Sequence, residues 1–169
     1  MQTISTFLEN NVFVYGEMFM RIFVSACLGF LIGMDRSFKN KPAGIKTYTY
    51  VCVACALITI ISIESAEALS EHDTGKMMDP MRLAAQIVSG LGFLGAGLIL
   101  KDGLKVKGLT SAAMIFFAGG VGIGIGAGFY SLVIFAVIIA SFAATMGRYV
   151  EKKSARFETH KEFESEIED

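Results

Sequence analysis

The sequence has no tryptophan, two prolines, three cysteines and two histidines among 169 residues. His72 and His160 stand far apart along the chain, so no set of nucleophile, base and orienting group can be assembled around them. An enzyme is therefore not expected. Cys27, Cys52 and Cys55 all fall inside apolar runs, where a thiol serves as a small buried hydrophobe, which leaves no disulfide framework and no redox motif. No Lys or Arg precedes Arg21, so the basic opening of a cleavable signal peptide is missing and the N-terminus is expected to stay attached. Neither sign of charge prevails: 15 Lys and Arg face 16 Asp and Glu, a formal charge of -1. Without a basic field, nucleic acid is not an expected partner.

What the chain does have is apolar sequence. It is 53% hydrophobic with a mean hydropathy of +0.56, too apolar for a soluble domain that keeps most of its surface polar. The class implied is all-α: a polytopic bundle of membrane helices. At about 20 residues per span the length allows five or six helices at most, which excludes a large multidomain transporter.

The charges divide the apolar stretches into five predicted transmembrane helices, at about 14–34, 47–63, 82–100, 109–126 and 129–147. Nothing is charged between Ser111 and Gly147. That length holds nearly two spans, and Gly126 to Phe129 is the natural turn between them. The first span has to carry Glu17 and Arg21, four residues apart in the favourable order for a helical ion pair. Residues 1–147 then form the membrane domain, and 148–169 a charged cytoplasmic tail, expected to be solvated and mobile because its last 13 residues hold six acids and one Lys.

Orientation follows from the loops. Arg36, Lys39, Lys41 and Lys46 lie in one, Lys101, Lys105 and Lys107 in another, and Arg148, Lys152, Lys153 and Arg156 follow the last span. The intervening segment 64–81 has Glu64, Glu67, Glu71, Asp73 and Asp79 against Lys76 alone. This alternation predicts an N-out, C-in protein by the positive-inside rule. The inner lysines also suit anionic lipid headgroups.

Helical periodicity gathers polar residues into three seams. Glu17, Arg21, Ser25 and Asp35 share a face of the first span; Tyr48, Cys52, Cys55, Thr59 and Ser62 share one on the second. Asp79, Arg82, Gln86 and Ser89 share one on the third, which Asp79 and Pro80 open as N-cap and first helical residue. Two readings stay open. Such seams let helices approach and hydrogen-bond, or they converge on a hydrated cavity, since Arg, Asp and Gln at membrane depth are costly unless paired or wetted. Arg82 with Gln86 is the most suspicious pair, whereas Asp35 and Arg36 also suit interfacial anchoring. Carboxylate oxygens suit Mg²⁺ or Ca²⁺, which makes Asp35 and Asp79 the candidate metal ligands and the acidic outer segment a loose site.

Glycine is abundant, with 18 residues. Gly29 with Gly33, and Gly120 with Gly124, are G-x-x-x-G pairs of the kind that seat neighbouring helices. Gly90, Gly92 and Gly95 match the spacing of a dinucleotide fingerprint but lie mid-span with no preceding strand, so they too read as packing glycines. Leu28-Gly29-Phe30-Leu31 recurs as Leu91-Gly92-Phe93-Leu94, each followed by a basic loop. That pattern suggests two helical hairpins of the same orientation plus a fifth helix.

Taken together, Gly29-Phe30-Leu31-Ile32-Gly33-Met34-Asp35-Arg36, Pro42-Ala43-Gly44-Ile45-Lys46-Thr47, the run from Asp79 to Gly97 and Gly108-Leu109-Thr110-Ser111-Ala112-Ala113 resemble the MgtC/SapB family of bacterial inner-membrane proteins. The resemblance covers about residues 15 to 146. It implies a multi-pass protein of the bacterial inner membrane tied to magnesium homeostasis and growth at low Mg²⁺. In some pathogens it also implies survival inside host cells, with the membrane ATP synthase as a proposed target of inhibition. The family's acidic-Arg pair falls on Asp35 and Arg36, and its membrane polar motif on Arg82, Gln86 and Ser89. Well-studied members often carry a soluble C-terminal domain resembling the ACT fold. Here a short acidic tail follows the last span, so regulation residing in that domain is expected to be absent or supplied by another protein. A family position commonly Trp falls on Phe116 or Phe117.

The expectation that follows is a non-enzymatic factor of Mg²⁺ homeostasis without a cofactor. It would contact other membrane proteins through its small-residue faces and form homo-oligomers, a dimer by preference. The alternative is a cation transporter or channel with Mg²⁺ as its ion, its polar path formed by spans one to three and lined by Arg21, Asp35, Asp79, Arg82 and Gln86.

Overall fold

The computed structural model describes the backbone of residues 2–38, 41–72, 79 and 82–167, and the side chains of 15–38, 41–69, 79 and 82–150. The elements in chain order are α1 (Gln2–Ser37), α2 (Ile45–His72), α3 (Arg82–Ala96), β1 (Leu100–Asp102), β2 (Lys105–Lys107), α4 (Leu109–Gly126) and α5 (Tyr130–Ile167). Four segments are long and apolar enough to cross a membrane: Tyr15–Ser37, Ile45–Leu69, Leu109–Gly126 and Tyr130–Val150. The protein is a polytopic helical membrane bundle. It divides into two compact units, Met1–Tyr130 and Ser131–Asp169; the first holds α1 to α4, and the second is the continuation of α5.

Within the first unit α1 packs on α2 and α4, while α3 packs on α4 and α2. Glycines decide how close these helices come. A Cβ at Gly29 would lie 2.8 Å from the Tyr48 carbonyl oxygen, and one at Gly33 2.6 Å from the Ile45 Cα, so α2 lies directly on the backbone of α1. Gly126 is as tight, 2.7 Å from the Ala56 carbonyl oxygen. Tyr48, Cys52, Ala56, Thr59, Ala118 and Ile125 are wholly buried at this centre.

The contacts also order the ends. Arg36 meets Ser111 at one end of the unit, and Arg21 meets Gly126 at the other. Helix α4 therefore runs antiparallel to α1. Gly95 lies against Ala112 and Leu91 against Gly119, so α3 is antiparallel to α4 in turn. The hairpins α1–α2 and α3–α4 thus share a direction, as the LGFL recurrence suggests. They use it differently: Gly29 is pressed on α2, whereas its counterpart Gly92 has nothing within 4 Å.

Several boundaries depart from expectation. The third span, predicted to reach residue 100, ends at Ala96 after 15 residues. Its last turns close through Gly97 N–H to Phe93 C=O (3.1 Å) and Leu98 N–H to Gly95 C=O (3.1 Å). Beyond them the basic loop is an antiparallel hairpin pairing Leu100 with Lys107 and Asp102 with Lys105. Gly103, at φ 61, supplies the left-handed residue this two-residue turn requires. Helix α2 runs on to His72, so Glu64, Glu67 and Glu71 stand on a helix rather than in a loop. Helix α5 continues to Ile167, which makes the predicted tail helical in its backbone. Helix α1 likewise begins at Gln2. One physical reason covers the extensions of α2 and α5: hydropathy marks how much helix suits hydrocarbon, whereas Ala, Glu, Lys and Arg continue a helix beyond that boundary.

Helix α4 stops for a nameable reason. Phe129 N–H reaches Gly124 C=O (2.8 Å), Gly128 N–H reaches Ile125 C=O (3.0 Å), and Gly128 has φ 84. This is a Schellman motif, with glycine at the left-handed position after the cap.

Candidate functional site

The three polar seams have three different fates. The α2 seam is interior: Tyr48, Cys52, Cys55, Thr59 and Ser62 are all buried. The Cys52 thiol donates to the Ala118 carbonyl (3.1 Å) and the Thr59 hydroxyl to the Cys55 carbonyl (2.8 Å).

The α1 seam is divided: Glu17 and Asp35 are exposed, Arg21 is half-buried and Ser25 is buried, and Arg36, next to Asp35, is buried as well. Arg21 donates to the Gly126 carbonyl at 2.9 Å and pairs with Glu17 at 2.6 Å. A guanidinium at the carbonyl end of α4 satisfies an orphan acceptor and meets the negative pole of that helix. At the opposite end Arg36, only 6% exposed, donates to the Ser111 hydroxyl at 3.0 Å. The Tyr48 hydroxyl donates to the Ser111 carbonyl at 3.4 Å. Interfacial anchoring fits Asp35, which is exposed; Arg36 instead turns into the bundle. Among the described residues the buried side-chain polar atoms without a partner are Arg21 Nε, Ser25 Oγ and Arg36 Nε, all on α1.

The α3 seam faces away from the unit. Arg82, Gln86, Ser89 and Gly90 are exposed, while Ala84, Ile87, Leu91 and Gly95 carry the packed face. Nothing lies within 4 Å of the Cβ position at Gly90 or Gly92. Among the packing glycines named from sequence, Gly29, Gly33 and Gly95 meet a neighbouring helix, but Gly90, Gly92 and Gly120 face open space. Helix α4 seats its neighbours through Gly119, Gly122 and Gly126 instead of Gly120. Those three also follow a three-to-four residue spacing, which is the signal that locates them; G-x-x-x-G alone matches two registers on this helix. Gly124 is half-buried, and its carbonyl closes the Schellman turn.

The seams consequently do not converge. The packed pairs are α1 with α2 and α4, and α3 with α4 and α2. The expected path through spans one to three would need α1 and α3 side by side, and helices α2 and α4 stand between them. Asp79 is exposed, and its carbonyl accepts from the Arg82 N–H at 3.2 Å, opening α3; Pro80, expected as the first helical residue, lies outside the described residues. Asp73 and the Glu71 side chain lie outside them as well. Among the described residues no three His, Cys, Asp or Glu side chains gather as a metal site. Ser111 and Tyr48, the partners of Arg36, were not singled out as a site from sequence, because nothing local links them to residue 36.

The MgtC family profile matches residues 22–153. Protein SapB of Bacillus subtilis is 44% identical over 115 residues, 68% of this chain and 49% of that protein. Protein MgtC of Brucella abortus is 44% identical over 104 residues, 62% of this chain and 40% of its own length. A protein of Escherichia coli K12 named putative magnesium transporter YhiD is 38% identical over 124 residues, covering 73% and 57% of the two chains. The chain thus spans about half the length of the curated relatives it matches. No solved structure matches it. With the family profile running from the first membrane helix into the last, this chain belongs to the MgtC family.

Proposed function

We propose that the chain is a non-enzymatic protein of the bacterial inner membrane that serves Mg²⁺ homeostasis and adaptation to low Mg²⁺ by contacting and regulating another membrane protein. The link to magnesium rests on the family and on the name of the E. coli relative. The contact surface is the outward face of α3.

One observation carries this reading. Arg82, Gln86 and Ser89 form a polar row on the exposed side of a membrane helix, and among the described residues the side chains of Gln86 and Ser89 have no hydrogen-bond partner. A lipid tail offers such groups nothing, and unsatisfied amides and hydroxyls in hydrocarbon are costly. Small residues beside them, Ala85, Gly90 and Gly92, let a second backbone approach closely. A protein surface is the natural cover. A second copy meets the requirement with two-fold closure, and the ATP synthase is the heterologous candidate that the family suggests.

In this reading α3 is a fifth pass, and the protein is N-out and C-in. Its 15 residues make about 22 Å of helix, short of the hydrocarbon thickness and suited to a locally thinned or protein-covered site. The basic segments 36–46 and 101–107 then share the cytoplasmic side.

The test is complementation of growth at low Mg²⁺ by Gln86→Leu and Gly90→Phe in a host lacking its own copy. Both positions are exposed, so both variants are expected to accumulate folded and to fail in growth. Growth at the wild-type rate with either variant at normal abundance would refute the contact surface. A second reading, a cation transporter, draws on the same exposed row: with α2 and α4 between α1 and α3, its path would run between subunits rather than within one. Mg²⁺ flux into liposomes that is saturable, and lost in a folded Arg82→Ala, Gln86→Leu double variant, would establish it over the regulator.

A further inference from the structure

The end of the first unit where α1 hands over to α2 contains an electrostatic imbalance that the α3 surface does not explain. Arg36 lies in the last turn of α1 and is 6% exposed. Its guanidinium donates to the Ser111 hydroxyl at 3.0 Å and also meets the Tyr48 hydroxyl, both neutral groups. Its Nε is buried without a partner. A guanidinium this deeply enclosed ordinarily has an anion on it, because a buried unpaired charge costs several kcal/mol.

The group that Arg36 meets makes the imbalance larger. Ser111 is the third residue of α4, an 18-residue helix. The first intrahelical bond there runs from Ala112 N–H to Gly108 C=O at 2.9 Å, so the N–H groups of Leu109, Thr110 and Ser111 precede it. The cap residue is Gly108, which has no side chain to accept from them. A cation thus abuts the positive pole of a helix whose first turn has no side-chain cap, with the Leu98 carbonyl passing over Gly108. The Tyr48 hydroxyl, wholly buried, closes the far side by donating to the Ser111 carbonyl. The side-chain acceptors that Arg36 meets here, the Ser111 and Tyr48 hydroxyls, are both neutral.

We propose that this end of the molecule binds an oxyanion of the phosphate type, held by the Arg36 guanidinium together with the first-turn N–H groups of α4. The chemistry is that of helix N-termini that receive phosphate, supplemented by a fork-shaped cation suited to two oxygens at once. Arg36 closes the apolar segment Tyr15–Ser37 and Ser111 lies near the start of Leu109–Gly126, so the site stands at the edge of the membrane. The phosphate of an anionic lipid headgroup and free phosphate share this chemistry. The inference does not depend on the α3 contact surface.

The experiment uses the full chain in a phosphate-free sugar detergent, with thermal unfolding followed by circular dichroism. One arm titrates inorganic phosphate against chloride at equal ionic strength; the other adds phosphatidylglycerol against diacylglycerol of the same acyl chains. A saturable rise in unfolding temperature is expected in at least one arm. A response to phosphatidylglycerol alone assigns the site to lipid, and a response to inorganic phosphate as well assigns it to the oxyanion itself. Arg36→Gln is expected to weaken the response at least tenfold. Ser111→Asp provides a second test that does not depend on the stability of that variant. It places a carboxylate beside Arg36 in the first turn of α4, and so should unfold at a higher temperature than wild type without ligand and respond to neither arm. No saturable response in the wild type overturns the proposal. So does an undiminished response in either variant, or a Ser111→Asp protein less stable than wild type.

Discussion

Two alanine substitutions on one helix, two residues apart, are expected to act in opposite directions. At Gly120 a Cβ meets nothing within 4 Å, so Gly120→Ala should gain the ordinary helix preference of alanine over glycine, about 1 kcal/mol. At Gly122 a Cβ would overlap the Cys52 carbonyl oxygen and lie 2.7 Å from Cys55 Cβ and 3.1 Å from the Cys52 carbonyl carbon. Two of these atoms are backbone, so the α2 chain itself has to withdraw. Restoring a carbon contact of about 3.5–4 Å moves α4 from α2 by roughly an ångström. A gap of about 0.5–1 Å already forfeits a quarter to a half of each dispersion contact along the seam. The overpacking cost is about 1–3 kcal/mol. The helix preference of about 1 kcal/mol is gained at both positions, so the two variants should differ by the overpacking term alone, about 1–3 kcal/mol. At roughly 2–4 °C per kcal/mol for a chain of this size, the unfolding temperatures separate by about 2–12 °C. Thermal unfolding in detergent, followed by far-ultraviolet circular dichroism, measures it. Equal unfolding temperatures, or a Gly122→Ala protein more stable than Gly120→Ala, would show that α2 and α4 are not in backbone contact there.

Arg21→Ala should cost about 1.5–3 kcal/mol, because the charged hydrogen bond to the Gly126 carbonyl is lost. Glu17→Gln should cost no more than about 1 kcal/mol, since the Glu17 side chain is half exposed; similar losses for the two variants would argue that Arg21 acts through Glu17 alone. Gly103→Ala should cost about 1–2 kcal/mol for its left-handed backbone and nothing for space. Gly108→Ala, at φ 90 and with its Cβ overlapping the Leu98 carbonyl oxygen, should be considerably worse. Comparable unfolding temperatures for these two variants would refute the close passage of residue 98 over the start of α4.

Much of the architecture was legible from local chemistry. Apolar runs bounded by charge located the four long spans, and the Gly126 to Phe129 segment marked the turn after α4, because glycine just past a helix end is a local signal. Helix ends beyond the apolar runs were not legible from hydropathy. The charged continuations of α2 and α5 are helical by propensity, and a hydropathy boundary is blind to propensity. The short third helix and its hairpin were missed because the apolar run to Leu100 does not show where helical bonding stops. Asp102-Gly103 is nonetheless a recognisable hairpin signal in retrospect.

For the candidate sites the division is sharper. Periodicity determined which residues share a helix face: Tyr48 with Cys52 and Thr59, Arg82 with Gln86 and Ser89. It also determined that the chain is a membrane bundle with basic and acidic connections in alternation. Which face looks inward was decided only by packing, since a helix has the same 3.6-residue repeat whichever way it is turned about its axis. Thus the α2 seam became core and the α3 seam stayed outside. Arg36 turned into the bundle while Asp35, one residue away, remained exposed. The meeting of Arg36 with Ser111, and of Arg21 with Gly126, joins residues 75 and 105 apart in the chain. No local interaction carries information over such separations; only the tertiary approach of α1 to α4 brings these groups within hydrogen-bonding distance.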